Sequence, residues 1–191
     1  VPPTKVVIIA AGVVGDFAAR TALALGSSVK IFDNNIYKLK RLQNNIGVRL
    51  YTSVLDPHTL AEQLRNADIA VGALSSQKGR SPVVMTEEMV SNMKAGSVVV
   101  DVSIDRGGCF ETSEVTTHEN PVFKKYDVLH YCVPNIPSGF ARTASQAISN
   151  VLMPLLMDAA EDGGFDNLVW KKQGIRQGIY MYKGALTNFH L

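Results

Sequence analysis

Gly12 and Gly15, within the run Ala10-Ala11-Gly12-Val13-Val14-Gly15, could bring bare backbone against a phosphate group. Asp33 follows about 20 residues on, a spacing at which a carboxylate accepts hydrogen bonds from both hydroxyls of a ribose. Together these residues have the spacing of a dinucleotide-binding turn. A small residue at Ala10 lets the chain leave a strand sharply. Gly12 lacks a side chain, so backbone N–H groups can approach a pyrophosphate, with Val13 and Val14 beside it. Gly15 lets the following helix pack closely on the strand. The start of that helix offers the phosphates unpaired N–H groups and a partial positive charge. The pattern departs from G-x-G-x-x-G at its first position, where Ala10 stands. If the turn needs positive φ there, the methyl costs roughly 1 kcal/mol; otherwise it is harmless. An ordinary glycine turn with no nucleotide accounts for the same residues.

The second chemically informative stretch is DVSIDRGGCFETS, Asp101 to Ser113. Two aspartates follow an apolar run, and paired glycines bring backbone close to something. Asp105 falls where a nicotinamide would lie, and a carboxylate there could orient substrate or relay a proton. A turn aspartate that caps its own backbone is the other reading. Asn135, in Pro134-Asn135-Ile136-Pro137-Ser138, leaves a later strand on the same side. His130 and Cys132 alternate with Leu129 and Tyr131 and so share a face. No further Cys/His pair lies near them, so core packing is expected and no metal site is assigned. His58, His118 and His190 are isolated and read as surface or structural residues.

The elements that must position these groups are legible as periodicities. Val6 to Ile9 is a short β-branched run, a buried strand. Phe17, Ala18, Thr21, Ala22 and Leu25 recur at helical steps, and Gly26 ends that helix. Val29 to Phe32 forms a second strand with Asp33 at its carboxyl end. Asn34 and Asn35 can cap a helix carrying Ile36, Leu39, Leu42 and Ile46, closed by Gly47. A third strand is expected at Val48 to Thr52. Asp56 then caps a helix with Pro57 at its first position, and Leu60 and Leu64 face its core. Ile69 to Leu74 is a fourth strand, so Gly72, Ala73 and Leu74 should line the ligand site. Ser75, Ser76 and Gln77 read as solvated loop residues. Thr86 caps a helix with Met89, Val90 and Met93 on its apolar face, although Glu88 is out of place for a capping box. A fifth strand runs from Ser97 to Val102, a loop and turn from Pro121 to Asp127, and a sixth strand from Val128 to Val133. The alternation predicts an α/β fold, a Rossmann-like doubly wound parallel sheet with helices on both faces. From Ala141 the pattern is helical through Leu155, with Pro154 inside. Leu168 to Gly174 reads as a short helix. Gly178 to Gly184 mixes tyrosines, a lysine and glycines, and fits a domain contact, an active-site wall or a surface hairpin.

Bulk properties narrow the function. At 191 residues the chain holds one real core, plus an appendage at most. A net charge of +2 argues against nucleic acid as a partner. No apolar run approaches the roughly 20 residues of a membrane span, and no signal peptide is visible. Cys109 and Cys132 fit reduced core thiols of a cytoplasmic protein better than a disulfide framework. The opening Val1-Pro2-Pro3, without an initiator Met, reads as a linker entering a strand, so a piece of a longer polypeptide is expected.

The segments VVIIAAGVVGDFAAR, VKIFDNNIYKL, VVVDVSIDRGGCFETS, HYCVPNIPSGFARTAS and YKGALTN resemble the cofactor domain and C-terminal tail of bacterial alanine dehydrogenases. That family is related to the proton-translocating nicotinamide nucleotide transhydrogenases, which resemble the chain less well after the paired glycines. The resemblance runs almost end to end. It implies an NAD-dependent, reversible oxidative deamination of L-alanine to pyruvate and ammonia. It implies that Asp33 binds the adenosine ribose with Lys38 nearby, and that Gly12, Val13 and Val14 hold the pyrophosphate. Val102, Ile104 and Asn135 would flank the nicotinamide, and Asp105 matches the family's catalytic aspartate. Residues 1–157 would be the NAD-binding domain. Residues 158–191 would be a segment that folds back into an N-terminal substrate domain not matched here. The family's hexamers imply a homo-oligomer. Ala10 and Arg106, the latter at a position usually held by Gln, depart from the family pattern.

Two other readings remain open at this point. A transhydrogenase NAD-binding subunit would need membrane partners and would not respond to alanine. A non-catalytic nucleotide-binding module would keep the fold without the chemistry. NADP is disfavoured, because Asp33 would repel a 2′-phosphate and no Arg follows it directly.

Overall fold

Val6, Val7, Ile8 and Ile9 are all buried, as a strand covered on both faces requires. They form the middle of β1 (Lys5–Ile9) in the computed structural model, which describes residues 1–76 and 79–187. The chain divides into two units, Val1–Ile136 and Pro137–Leu191. The readings of Gln77 and His190 lie outside the described residues.

In the first unit α1 (Val13–Ala24), β2 (Ser28–Phe32), α2 (Ile36–Ile46), β3 (Tyr51–Ser53), α3 (Pro57–Arg65) and β4 (Ile69–Gly72) follow β1. Then come α4 (Glu87–Ser91), β5 (Val98–Asp101), a 3₁₀ turn (Val102–Arg106), β6 (Val122–Lys125) and β7 (Val128–Tyr131). The sheet order is β3-β2-β1-β4-β5-β7-β6. Every neighbouring pair is parallel except β6 with β7. The side chains of β1 alternate between two cores. Val6 and Ile8 pack with Ala19, Leu39 and Leu42 from α1 and α2. Val7 and Ile9 pack with Leu60, Leu64 and Val90 from α3 and α4. The sheet is therefore doubly wound, as the periodicities predict.

The helix starts follow their caps. Asn35 accepts the Lys38 N–H at 3.1 Å, Asp56 that of Thr59 at 2.8 Å, and Thr86 that of Met89 at 3.2 Å. β4, β5 and β7 are each one or two residues shorter at an end than expected, and two strands differ more. β3 lies at Tyr51–Ser53 rather than Val48 to Thr52, because register against β2 places Tyr51 opposite Lys30. The stretch expected as a loop, Pro121 to Asp127, contains β6. Tyr126 and Asp127 both take positive φ, 54° and 58°, and join β6 to β7 as a two-residue hairpin turn. Tyr-Asp is not the Asn-Gly type of signal that announces such a turn. Phe123 completes the hairpin by stacking on His130, with ring centroids 4.8 Å apart.

In the second unit a 3₁₀ turn at Ile136–Phe140 leads into α5 (Ala141–Glu161), which contains Pro154. α6 (Phe165–Lys171) and α7 (Gln173–Gln177) stand where one short helix was expected. β8 (Met181–Tyr182) and β9 (Ala185–Leu186) pair antiparallel, so Gly178 to Gly184 supplies the first strand and the turn of a hairpin whose second strand follows it. Trp170 meets Tyr182 edge-on at 6.4 Å. Among the described residues no helix is long and apolar enough to cross a membrane.

A candidate nucleotide crevice at the carboxyl ends of the strands

Strand order reverses between β1 and β4: β1 leads through α1 to β2 on one side, and β4 lies on the other. In open α/β sheets, ligands bind outside the strands' carboxyl ends at such a point. The backbone there is laced together. Ala10 N donates to Phe32 O at 2.7 Å, and Ala73 N to Ile9 O at 2.9 Å.

Ala10 has φ +88°. The turn thus demands the left-handed backbone that a glycine supplies without penalty, and this chain meets the demand with an alanine. At Gly15 a Cβ would lie 1.9 Å from the Ala10 carbonyl oxygen, so close helix–strand packing requires glycine. At Gly12 a Cβ would meet nothing within 4 Å. Nothing in the fold requires a bare residue there, whereas a pyrophosphate drawn against the backbone does. Gly12 is the N-cap of α1 and brings no side-chain cap. The N–H groups of Val13 and Val14, in its first turn, therefore have no intrahelical partner. A dinucleotide phosphate fits this cradle.

Asp33 is 7 % exposed at the end of β2. Its Oδ2 accepts the Ala11 N–H at 2.8 Å and its Oδ1 that of Asn35 at 2.7 Å. Each oxygen keeps a second lone pair. Lys38 is exposed in the first turn of α2.

A cleft of about 160 Å³ opens beside α1 and is lined by Val14, Ala73, Leu74, Val102, Asp105 and Arg106, among others. Sequence reasoning anticipated Val14, Ala73, Leu74, Val102 and Asp105 there and missed Ser103, Arg106 and Ser75, the last read as a solvated loop residue. Ile104 is buried and supports the 3₁₀ turn from within. Asp105 is exposed on that turn, and its Oδ1 accepts the Asn135 N–H at 2.8 Å. Asn135 itself has φ +51°. The two residues that spacing placed on the nicotinamide side are thus in contact. Arg106 donates to the Ser76 carbonyl, and its own carbonyl accepts the Ser81 N–H at 2.8 Å, which straps the loop after β4 to the turn.

Asp101, not Asp105, is the aspartate that caps its own turn. It is fully buried. Its Oδ1 accepts the Ser103 N–H at 2.9 Å, while its Oδ2 accepts Cys109 N at 2.8 Å and Ser113 Oγ at 2.6 Å. A Cβ at Gly108 would lie 2.8 Å from that Oδ2, which explains the second of the paired glycines. The signal available in sequence was an acid two residues before a serine at a strand end, an Asx-turn pattern.

His130 is fully buried between its partners. Nδ1 lies 3.1 Å from Val128 O and Nε2 2.9 Å from Thr112 Oγ1. The carbonyl can only accept, so Nδ1 carries the proton and Nε2 accepts from the hydroxyl. Burial pushes the imidazole pKa below its ordinary value. Cys109 and Cys132 are buried free thiols, and burial raises the pKa of both. Among the described residues no cluster of His, Cys, Asp and Glu could hold a metal ion. A larger hollow of about 300 Å³ lies between Lys5, Lys30, Glu62 and Gln63 at the amino ends of the strands, away from every residue above.

Residues 1–189 match the family model described as "Alanine dehydrogenase/PNT, C-terminal domain". The chain is 40 % identical over 187 residues to an alanine dehydrogenase of Halomonas elongata, covering 98 % of this chain and 50 % of that protein. A solved L-alanine dehydrogenase superimposes with TM-score 0.89 at 34 % identity, over 97 % of this chain and 51 % of the other. A transhydrogenase from Sinorhizobium meliloti gives TM-score 0.79 at 26 % identity, over 97 % and 50 %. The chain spans about half the length of the curated relatives it matches.

Proposed function

Since this chain belongs to the alanine dehydrogenase/PNT C-terminal domain family, we propose that it is the NAD(H)-binding half of an alanine dehydrogenase. The observation that carries this reading is the conjunction at the switch point: a bare Gly12 facing open space, an uncapped helix start, and the Asp33 carboxylate tied to the same loop. Asp33 receives the adenosine ribose, with Lys38 at the rim. The N–H groups around Gly12, Val13 and Val14 receive the pyrophosphate, with Ala10 and Gly15 shaping the loop. Leu74, Val102 and Asn135 border the nicotinamide side, with Ile104 behind the turn.

When bound, the nicotinamide supplies the hydride chemistry. The protein's part is placement and proton handling. Asp105 presents a carboxylate at the cleft, held at one oxygen by Asn135, and it orients substrate or moves a proton there. The L-alanine substrate, its conversion to pyruvate and ammonia, a homo-oligomer such as a hexamer and a cytoplasmic location are proposed for the full-length protein. So is the role of residues 158–191 in serving the substrate half. The chain by itself binds NAD and does not turn over alanine.

Calorimetric titration with NAD tests the binding. Saturable binding below millimolar NAD is expected, and no heat of binding at millimolar NAD overturns it. Alanine-dependent NAD reduction by the full-length polypeptide tests the reaction, and its absence overturns the substrate.

A further inference from the structure

His118 is isolated in sequence, yet the fold brings it to the site. Its Nε2 lies 3.3 Å from the Asn135 carbonyl oxygen. A carbonyl only accepts, so Nε2 donates. The preceding bond in the same residue runs the other way, with the Asn135 N–H donated to Asp105 Oδ1 at 2.8 Å. The two bonds grip the peptide groups on either side of one Cα. One constrains φ and the other ψ, at a residue whose φ of +51° is in the left-handed region. The turn that carries His118 is itself anchored. Thr116 N donates to Cys132 O at 3.0 Å, beside the strand end that runs on to Asn135. Thr116 Oγ1 donates to Pro121 O at 3.1 Å, and Asn120 N to Thr117 Oγ1 at 3.1 Å.

We propose that His118 is a positioning residue for Asp105. By holding the Asn135 carbonyl it fixes the backbone whose N–H occupies one carboxylate oxygen, and so directs the other toward the cleft. The inference rests on the alanine dehydrogenase reading for its catalytic consequence and on geometry alone for the restraint of Asn135.

The test uses the full-length polypeptide with His118→Phe, which fills similar space without a donor, and His118→Gln, whose amide can replace Nε2–H. In His118→Phe the amide of Asn135, followed by hydrogen exchange in a peptide spanning residues 133–137, should exchange about tenfold faster. Its kcat for alanine oxidation should fall about tenfold with KM for NAD unchanged. His118→Gln should recover both to within about twofold of wild type. Unchanged exchange in His118→Phe overturns the proposal. Faster exchange with an unchanged kcat also overturns it, because Asn135 would then be restrained without consequence for Asp105. A wild-type protein that oxidises no alanine overturns the functional reading instead, while the exchange rates still decide whether His118 holds Asn135.

Discussion

The Asp33 carboxylate accepts the backbone N–H of Ala11 at 2.8 Å, across the gap between the end of β2 and the loop that leaves β1. An acid placed by sequence to bind a ribose therefore also ties down the loop that would bind the phosphates. Asp33→Asn tests both tasks at once. The carboxamide keeps one acceptor and turns a donor toward a second N–H, so one buried donor loses its partner. Stability should fall by about 1–3 kcal/mol in urea unfolding. The Kd for NAD should rise about tenfold or more, since a charge-assisted acceptor is lost. Unchanged stability would show that whichever of the Ala11 and Asn35 bonds the carboxamide gives up contributes nothing.

Ala10 at φ +88° carries a strain that a β-branched residue cannot tolerate. Ala10→Val should cost about 2 kcal/mol or more. Ala10→Gly should change stability by no more than about 1 kcal/mol, because relief of strain offsets the added freedom of the unfolded chain. A clearly destabilised glycine variant in denaturant unfolding would contradict this account. Gly15→Ala should be worse than either, since its Cβ would fall 1.9 Å from the Ala10 oxygen.

Asp105→Asn preserves an oxygen for the Asn135 N–H and removes the ionisable group. In the full-length polypeptide kcat for alanine should fall about a hundredfold or more. The Kd for NAD should stay within about threefold, because the pyrophosphate and ribose contacts lie elsewhere. A fall in NAD affinity alone would make Asp105 a cofactor residue.

His130 is buried as the neutral tautomer, and burial holds its pKa in the fold below the ordinary histidine value. The unfolded chain therefore takes up a proton that the native state refuses. Stability is full above about pH 6.5 and falls as pH drops below it, with a slope of at most about 1.4 kcal/mol per pH unit. Asp56, Asp68 and Glu87 have lowered pKa values and lose their contributions only at more acid pH, below the ordinary carboxylate values. Thermal unfolding between pH 7.5 and 5.5 should show the loss of stability from His130, and His130→Gln should flatten the profile. A profile unchanged by that substitution would remove His130 as the cause.

Cys109 and Cys132 are buried, with thiols harder to ionise than usual. Neither should react with a thiol-exchange reagent in the native protein, and both should react after unfolding. Fast labelling of the native chain would contradict the burial.

Much of this protein is determined locally and could be read without coordinates. β1 is a β-branched run, α2, α3 and α4 begin at Asn35, Asp56 and Thr86, and the glycine turn with its distant acid has a fixed spacing. Each of these is a short-range preference of the backbone or of hydrophobic burial, so residue order suffices. Other features exist only once distant segments meet. β6 is a strand because β7 offers it an edge, although its own residues read as a loop. Asp101 is buried as a hub beyond its local cap on Ser103 because Cys109 and Ser113 fold back onto its other oxygen. His118 reaches the site because strand pairing carries Asn135 beside Asp105, across separations that no local pattern encodes. Hydrogen-bond partners of that kind are settled by packing, so the tertiary structure alone decides them.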